Sequence, residues 1–169
     1  MIEIRAEIEA DRGGVWRVNS EAFESDAEAK LVEALHAAGV PSISLVAVEA
    51  GEIVGHIMFT EVALAGRKSE TKFMGLAPMS VLPEKQNQGI GSKLVKAGLQ
   101  ACQEREIEAV VVLGHPNFYP KFGFTPSVNF GIRSQFDVPD EVFMALELKK
   151  GALAGNSGVI EYHAVFNAF

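Results

Sequence analysis

The residues best suited to chemistry lie in KQNQGIGSKL, where two glycines precede a segment with helical periodicity. Gln86, Gly89 and Gly91 form the pattern QxxGxG. A helix that begins at Ile90 leaves its first amides without intrahelical partners, and such amides bind anions. Because glycine has no side chain, a ligand can approach the backbone closely. Three lysines in or beside this stretch favour a phosphate ligand in an otherwise acidic chain: Lys85, Lys93 and Lys96.

The loop departs from two other phosphate-binding motifs, and it also fits a plain turn. A P-loop requires a lysine directly after its last glycine, whereas here Ser92 follows Gly91. A dinucleotide fingerprint requires a third glycine, where Leu94 stands, and an acidic residue after the next strand, where Gly114 and His115 stand. A turn that opens a helix and binds nothing remains an alternative, because two glycines alone do not exclude it.

Composition and charge restrict the class of protein. The chain has 169 residues, of which 48% are hydrophobic and 22% charged, as in an ordinary globular domain. No apolar run reaches the roughly 18 residues of a membrane span, and the first residues lack the layout of a signal peptide, so a cytoplasmic location is expected. A formal charge of -7 disfavours nucleic acid as a partner. The single cysteine, Cys102, allows no internal disulfide, and neither cysteine nor histidine spacing predicts a metal site.

Hydrophobic periodicity predicts one mixed α/β domain over residues 1–169. After a first strand, one helix is expected behind a cap at Asp11 and a second behind a capping box formed by Ser25 and Glu28. A tight turn at Ala50 and Gly51 predicts a hairpin. The predicted strands are the N-terminal segment, Ser44–Glu49, Ile53–Leu64, Phe73–Val81, Ala109–Gly114, Val142–Lys149 and Val159–Phe166, with a helix from Ile90 between the fourth and fifth.

The loop and its surroundings resemble a known family. QxxGxG between a strand and a helix is similar to the acyl-CoA pyrophosphate loop of the GNAT acetyltransferase superfamily. The resemblance continues through LAPMSVLPEKQNQGIGSKLV and AVVVLGHPNFYPKFGF and covers most of the chain. It implies the GNAT acyl-CoA N-acyltransferase fold, an α/β (α+β) fold whose mixed, mostly antiparallel sheet is flanked by helices and splayed between its central strands.

The resemblance also implies a cosubstrate, acetyl-CoA, lying between Leu76–Val81 and Ala109–Gly114. Backbone groups of the first of these strands would pair with the pantetheine arm: Met79, Ser80 and Val81. The loop and first helical turn would hold the pyrophosphate: Gln86, Asn87, Gln88, Gly89, Ile90, Gly91, Ser92 and Lys93. A Cβ at either glycine would then keep a phosphate from the amides. Asn117 matches an asparagine that lies beside the pantetheine in relatives.

The implied reaction is transfer of an acetyl group to an amine by direct attack in a ternary complex. Tyr119 matches a tyrosine that protonates the departing thiolate, although a tyrosine packed on the following loop is the alternative. The amide of Met79 would polarise the thioester carbonyl. FMGLAPMSV lacks the glutamate that many relatives use as the base. The base stays open among four residues that equally suit surface or core roles: Glu21, Glu24, Glu61 and His56.

The acceptor cannot be read from a motif, and either a small-molecule amine or a protein amine fits. Acceptor pockets in relatives are built by the early helices and late loops, here Trp16–Leu35 and Phe122–Phe136. Three aromatic residues are candidates for such a pocket or for the core: Phe130, Phe136 and Phe143. Relatives often form homodimers. The rival function is an acyl-CoA-binding sensor without turnover, which the missing carboxylate favours and Tyr119 disfavours.

Overall fold

The computed structural model describes residues 1–65 and 71–168. Its strands are β1 (Ile2–Ala6), β2 (Ser42–Glu49), β3 (Glu52–Leu64), β4 (Phe73–Val81), β5 (Ala109–Leu113), β6 (Thr125–Pro126), β7 (Ile132–Ser134), β8 (Phe143–Glu147) and β9 (Gly158–Glu161). The helices are α1 (Arg12–Phe23), α2 (Ala27–Ala38) and α3 (Ile90–Glu104). None of these helices is long and apolar enough to cross a lipid bilayer, a finding that covers the described residues.

The strands form one sheet in the order β1-β2-β3-β4-β5-β8-β6, and β9 joins it by pairing with the end of β3. Neighbouring strands are antiparallel except for β4 with β5 and β7 with β9, which are parallel. The predicted mixed, mostly antiparallel sheet is therefore confirmed. The β2–β3 hairpin turns at Ala50 and Gly51, whose φ angles of 51° and 78° suit the right-handed twist of the strands.

Each face of the sheet carries its own hydrophobic core. On the face covered by α3, Leu94 and Cys102 pack with Phe59 of β3. On the face covered by α1 and α2, Leu31 and Leu35 pack with residues of β3, β5 and the C-terminal segment. Alternate side chains of a strand point to opposite faces, so β4 contributes to both cores.

The two helices begin near the predicted caps, but neither cap makes the predicted side-chain hydrogen bond. Asp11 precedes α1, but its carboxylate accepts the Ile8 N–H at 2.8 Å and pairs with Arg5 at 2.7 Å, which holds the end of β1. The Ser25 N–H donates to Ser20 O at 3.3 Å, and Asp26 occupies the N-cap of α2. The Ser25 hydroxyl instead accepts the Ala27 N–H at 3.2 Å. The capping box is therefore absent, and the Glu28 carboxylate is left for another role.

The last predicted strand is also shorter than expected. β9 ends at Glu161, and a 3-10 turn follows at Ala164–Ala168. The Tyr162 N–H donates to the side-chain oxygen of Gln135 at 2.6 Å, which ends the strand ladder. Tyr162 and Phe166 are consequently turned into the core on the α1–α2 face.

The predicted splay between β4 and β5 is confirmed. β4 pairs with β5 only along Phe73–Leu76. On its other side, the register with β3 shifts so that Ala77 and Pro78 lie opposite the single residue Met58. Such a bulge bends a strand, and proline offers no N–H to a neighbour. The strands therefore separate after Leu76.

Helix α3 lies so close to the sheet at Gly98 that no side chain fits there. A Cβ at Gly98 would lie 2.3 Å from Cε1 of Phe59, a fully buried ring, whereas a Cβ at Gly13 of α1 would meet nothing within 4 Å. Overpacking a core costs about 1–3 kcal/mol. We expect Gly98→Ala to lower the free energy of unfolding by about this amount relative to Gly13→Ala. Urea denaturation of both variants measures the difference, and equal stabilities would contradict the described packing.

Candidate active site

The gap between β4 and β5 opens into a cleft of about 900 Å³. Met79, Phe118 and Tyr119 line it and belong to the core on the α3 face. Ala77 and Tyr162 line it from the core on the α1–α2 face. The cleft therefore passes through the sheet, so two ligands could enter from opposite faces and meet between the strands.

The backbone of β4 offers unpaired groups to this cleft. The Leu82 N–H donates to Val54 O of β3 at 2.9 Å, so the backbone of Leu82 faces β3. Because strand residues alternate, Ser80 also faces β3, whereas Met79 and Val81 face the gap. The Gln86 side chain confirms this direction, since it donates to Val81 O at 3.1 Å from the loop side. Met79 therefore presents its N–H and C=O to a ligand and Val81 presents its N–H, whereas the backbone of Ser80 faces β3.

The loop before α3 turns its amides toward the same cleft. Asn87 and Gly89 have φ angles of 62° and 84°, a conformation that glycine adopts freely and asparagine tolerates. The first intrahelical bond at this end joins Lys93 N–H to Gly89 O at 3.1 Å. The amides of Ile90, Gly91 and Ser92 precede that bond and remain open to an anion.

Glycine is needed at the two loop positions for different reasons. A Cβ at Gly89 would meet nothing within 4 Å, so its positive φ is what requires glycine. A Cβ at Gly91 would lie 3.6 Å from Met79 Cε and 3.7 Å from Phe118 Cζ. The protein itself tolerates that Cβ, but a longer side chain at Gly91 would extend into the cleft.

Most of the residues assigned to the site from sequence line this cleft. They are Met79, Ser80, Val81, Gln86, Asn87, Gly89, Ile90, Gly91, Ser92 and Tyr119. Gln88, Lys93 and Asn117 are exposed outside its wall. Of the lysines, Lys85 lines the cleft but forms an ion pair with Glu49. Lys121, which the sequence did not single out, lines it over the Phe118 ring at 5.0 Å.

Tyr119 is held rigidly beside β5. Its ring lies edge-on to Phe118 and Phe124, at centroid distances of 5.0 and 5.7 Å. A Cβ at Gly114 would come within 2.4 Å of the ring, so only glycine allows this packing. Burial raises the pKa of Tyr119 to about 12, which keeps the phenol protonated. Within the described part of the chain, no residue hydrogen-bonds its hydroxyl, so this proton is available to a ligand.

His56 of β3 is part of a group of hydrogen-bonded buried side chains that links α1 with β2, β3 and β4, and it is unsuited to be the base. Its Nδ1 lies 3.2 Å from Asn19 Nδ2, and its Nε2 lies 2.8 Å from Ser44 Oγ. Asn19 in turn accepts the Ser80 hydroxyl at 3.0 Å. Burial lowers the pKa of His56 to about 3, so the ring is neutral and accepts from Asn19 through Nδ1. These hydrogen bonds therefore hold Ser80 and α1 in place, but they present no proton acceptor to the cleft.

The other proposed bases lie outside the cleft. Glu21 is exposed and pairs with Arg17 at 2.6 Å, and both Glu24 and Glu61 are exposed. Cys102 is buried on α3, and burial raises the pKa of its thiol to about 12, which makes it a poor nucleophile. No cluster of metal-ligating side chains occurs in residues 1–65 and 71–168.

The mouth of the cleft on the α1–α2 face is lined by groups that the sequence did not identify. Phe136 lies there as one of the predicted candidates, whereas Phe143 is buried in the core. Phe130 lies outside the wall. The groups that were missed are Glu28, Tyr162 and Phe166. The sequence pattern predicted a capping box for Glu28 and a strand for the two aromatic residues. Neither pattern therefore indicated that these residues line a pocket.

Comparisons with known proteins agree on the family. Residues 3–127 match a family model described as an acetyltransferase (GNAT) domain. The N-acetyltransferase YhbS of Escherichia coli K12 is 36% identical over 167 residues, covering 98% of this chain and 99% of that protein. The N-acetyltransferase YjhQ of the same organism is 33% identical over 135 residues, covering 78% of this chain and 75% of that protein.

Solved structures extend the similarity to three dimensions. The crystal structure of Escherichia coli YhbS in complex with CoA has a TM-score of 0.94 at 36% identity, and covers 99% of this chain and 93% of that one. A GNAT acetyltransferase from Brucella melitensis in complex with acetyl-CoA has a TM-score of 0.82 at 32% identity and covers 98% of both chains. The sequence relatives and these structures together show that the chain belongs to the GNAT acetyltransferase family.

Proposed function

We propose that this acetyltransferase moves an acetyl group from acetyl-CoA to an amine by direct attack in a ternary complex. The observation that carries the proposal is the open backbone of Met79 and the open N–H of Val81, which are continuous with the free amides at the start of α3. An extended pantetheine arm would add to β4 as a further strand, and its pyrophosphate would reach the helix N-terminus. The relatives crystallised with CoA and with acetyl-CoA support this choice of cosubstrate.

The reaction needs two groups on the acyl side of the cleft. The amine nitrogen attacks the thioester carbon while the Met79 N–H donates to the carbonyl oxygen, which gains negative charge. As the carbon–sulfur bond breaks, Tyr119 protonates the CoA thiolate. The nitrogen then gives up its extra proton to form the amide, and this proton restores the phenol of Tyr119. The products are the N-acetylated amine and CoA. A phenol can serve because no described residue accepts its proton, and the burial that raises its pKa would also raise that of a CoA thiol beside it.

The amine must be neutral before it attacks. For an amine with a pKa of about 10.4, deprotonation at pH 7 costs about 4.6 kcal/mol, since each pKa unit is about 1.36 kcal/mol. β4 carries no carboxylate to assist, as its sequence FMGLAPMSV shows. Any group that receives this proton must therefore come from the acceptor side of the cleft.

The role of Tyr119 predicts a loss of kcat rather than of binding. Tyr119→Phe keeps the ring packing but removes the acid, and general acid catalysis contributes about 10²–10⁴-fold. We expect kcat to fall within this range while the KM for acetyl-CoA stays within about twofold. Release of CoA, followed with a thiol reagent at saturating amine, measures both constants. An unchanged kcat would show that Tyr119 is only a packing residue.

The proposed pyrophosphate loop predicts a steric block. Gly91→Leu should fold, because the first added atom meets only ordinary contacts, but its side chain occupies the cleft. We expect acetyl-CoA binding, measured by titration calorimetry, to weaken at least about tenfold, which is about 1.4 kcal/mol. Gln100→Leu, an exposed change on the same helix, is the control and should bind normally. Normal binding by Gly91→Leu would place the cosubstrate elsewhere.

A further inference from the structure

We propose that the acceptor is a small arylalkyl amine without a carboxylate, and that Glu28 holds its ammonium group and receives its proton. This inference rests on the acetyl transfer proposed above and concerns the mouth of the cleft on the α1–α2 face. We call that mouth the acceptor mouth, and its wall consists of Ala22, Phe23, Glu28, Leu31, Phe136, Tyr162 and Phe166.

Glu28 is an unusual carboxylate for its position. It is half-buried in the first turn of α2 and lines the cleft. Among the described residues, none forms an ion pair or hydrogen bond with it. Partial burial of a charge is costly, and the N-terminus of α2 offsets only part of that cost. A cationic ligand would supply the missing partner.

The rest of the acceptor mouth is aromatic and apolar. The Tyr162 ring lies 5.7 Å from that of Phe136 and 5.0 Å from that of Phe166, so the three rings form one continuous wall. Leu31 and the 40% exposed ring of Phe23 extend this surface toward solvent. Such a surface favours the ring of a substrate, and the faces of the aromatic rings also attract an ammonium group.

Charge in the cleft disfavours a substrate that carries its own carboxylate. The other ionisable groups of the described wall are Lys85, His115, Tyr119, Lys121 and Tyr162. Lys85 pairs with Glu49, and Lys121 lies over Phe118, which belongs to the α3 side. His115 belongs to the same turn, since its carbonyl oxygen accepts the Phe118 N–H at 3.1 Å. Burial raises the pKa of Tyr162, so this phenol is neutral. A carboxylate in the acceptor mouth would therefore face Glu28 without a compensating cation.

The same apolar surroundings suit Glu28 as the proton acceptor. Once an aromatic amine fills the acceptor mouth, water is displaced from around the ammonium–carboxylate pair. Loss of water disfavours the two charged forms and therefore favours transfer of the proton from nitrogen to Glu28. The neutral amine then attacks the thioester carbon, and Glu28 returns the proton to solvent when the product leaves. The protons balance, since the ammonium loses one to solution overall.

The first test compares three amines with the wild-type enzyme: 2-phenylethylamine, phenylalanine and ethanolamine. We expect kcat/KM for 2-phenylethylamine to exceed that of each of the others at least about tenfold. Phenylalanine shares the ring but adds a carboxylate, and ethanolamine shares the amine but lacks the ring. Equal values for all three, or a preference for phenylalanine or ethanolamine, would overturn the inference.

The second test examines Glu28 itself. Glu28→Gln should lower kcat/KM for 2-phenylethylamine at pH 7 about 10–100-fold, as expected for loss of a charged partner. The difference in kcat/KM between Glu28→Gln and the wild type should narrow as the pH approaches about 10, because the amine is then largely neutral and needs no base. Glu33→Gln, an exposed change on the same helix, is the control and should behave as wild type. No deficit at pH 7, or one that stays constant with pH, would exclude Glu28 as the proton acceptor.

Calorimetry with acetyl-CoA separates failure of this inference from failure of the proposed function. If the protein binds acetyl-CoA but does not acetylate 2-phenylethylamine, the acceptor class is wrong while the cosubstrate site stands. If acetyl-CoA does not bind, the proposed function fails, and the acceptor inference fails with it. We expect binding of acetyl-CoA by wild type and Glu28→Gln alike, because Glu28 lies on the opposite face from the loop.

Discussion

The structure depends on one unpaired strand edge. β4 is paired with β3 along its length but with β5 only as far as Leu76, because the bulge at Ala77 and Pro78 separates the two central strands. Backbone groups inside a protein need partners, so the open edge at Met79 and Val81 suits the extended pantetheine arm that we propose for the gap. The gap would close or fill with side chains if β5 continued beside β4.

The two cores explain how one gap can serve two substrates. On the α3 face, Gly89 and Gly91 keep the loop and the helix start free for an anion. On the α1–α2 face, aromatic residues and the lone carboxylate of Glu28 suit a cation with an apolar body. The charges of the two proposed substrates would therefore match opposite faces of the sheet, and burial keeps the phenol of Tyr119, on the α3 side, protonated.

Local sequence patterns predicted the fold and the loop well. They could not predict contacts between residues that are far apart in the sequence. QxxGxG, the apolar strands and the Ala50–Gly51 turn depend on neighbouring residues, and their structures agree with the prediction. Glu28 matched a capping box, but Asp26 begins the helix instead. Tyr162 matched a strand, but a side chain over 25 residues away, that of Gln135, ends the ladder there. The acceptor mouth is built from such distant contacts, which no single segment reveals.

The most direct measurement is amide hydrogen exchange at residues 79–81, with and without acetyl-CoA. Ser80 faces β3, so its amide should exchange slowly in both states. The amides of Met79 and Val81 face the gap, so they should exchange quickly in the free protein and slowly once acetyl-CoA is bound. Protection of Met79 and Val81 before the ligand is added, or no change on its addition, would contradict the account of β4 as the open edge.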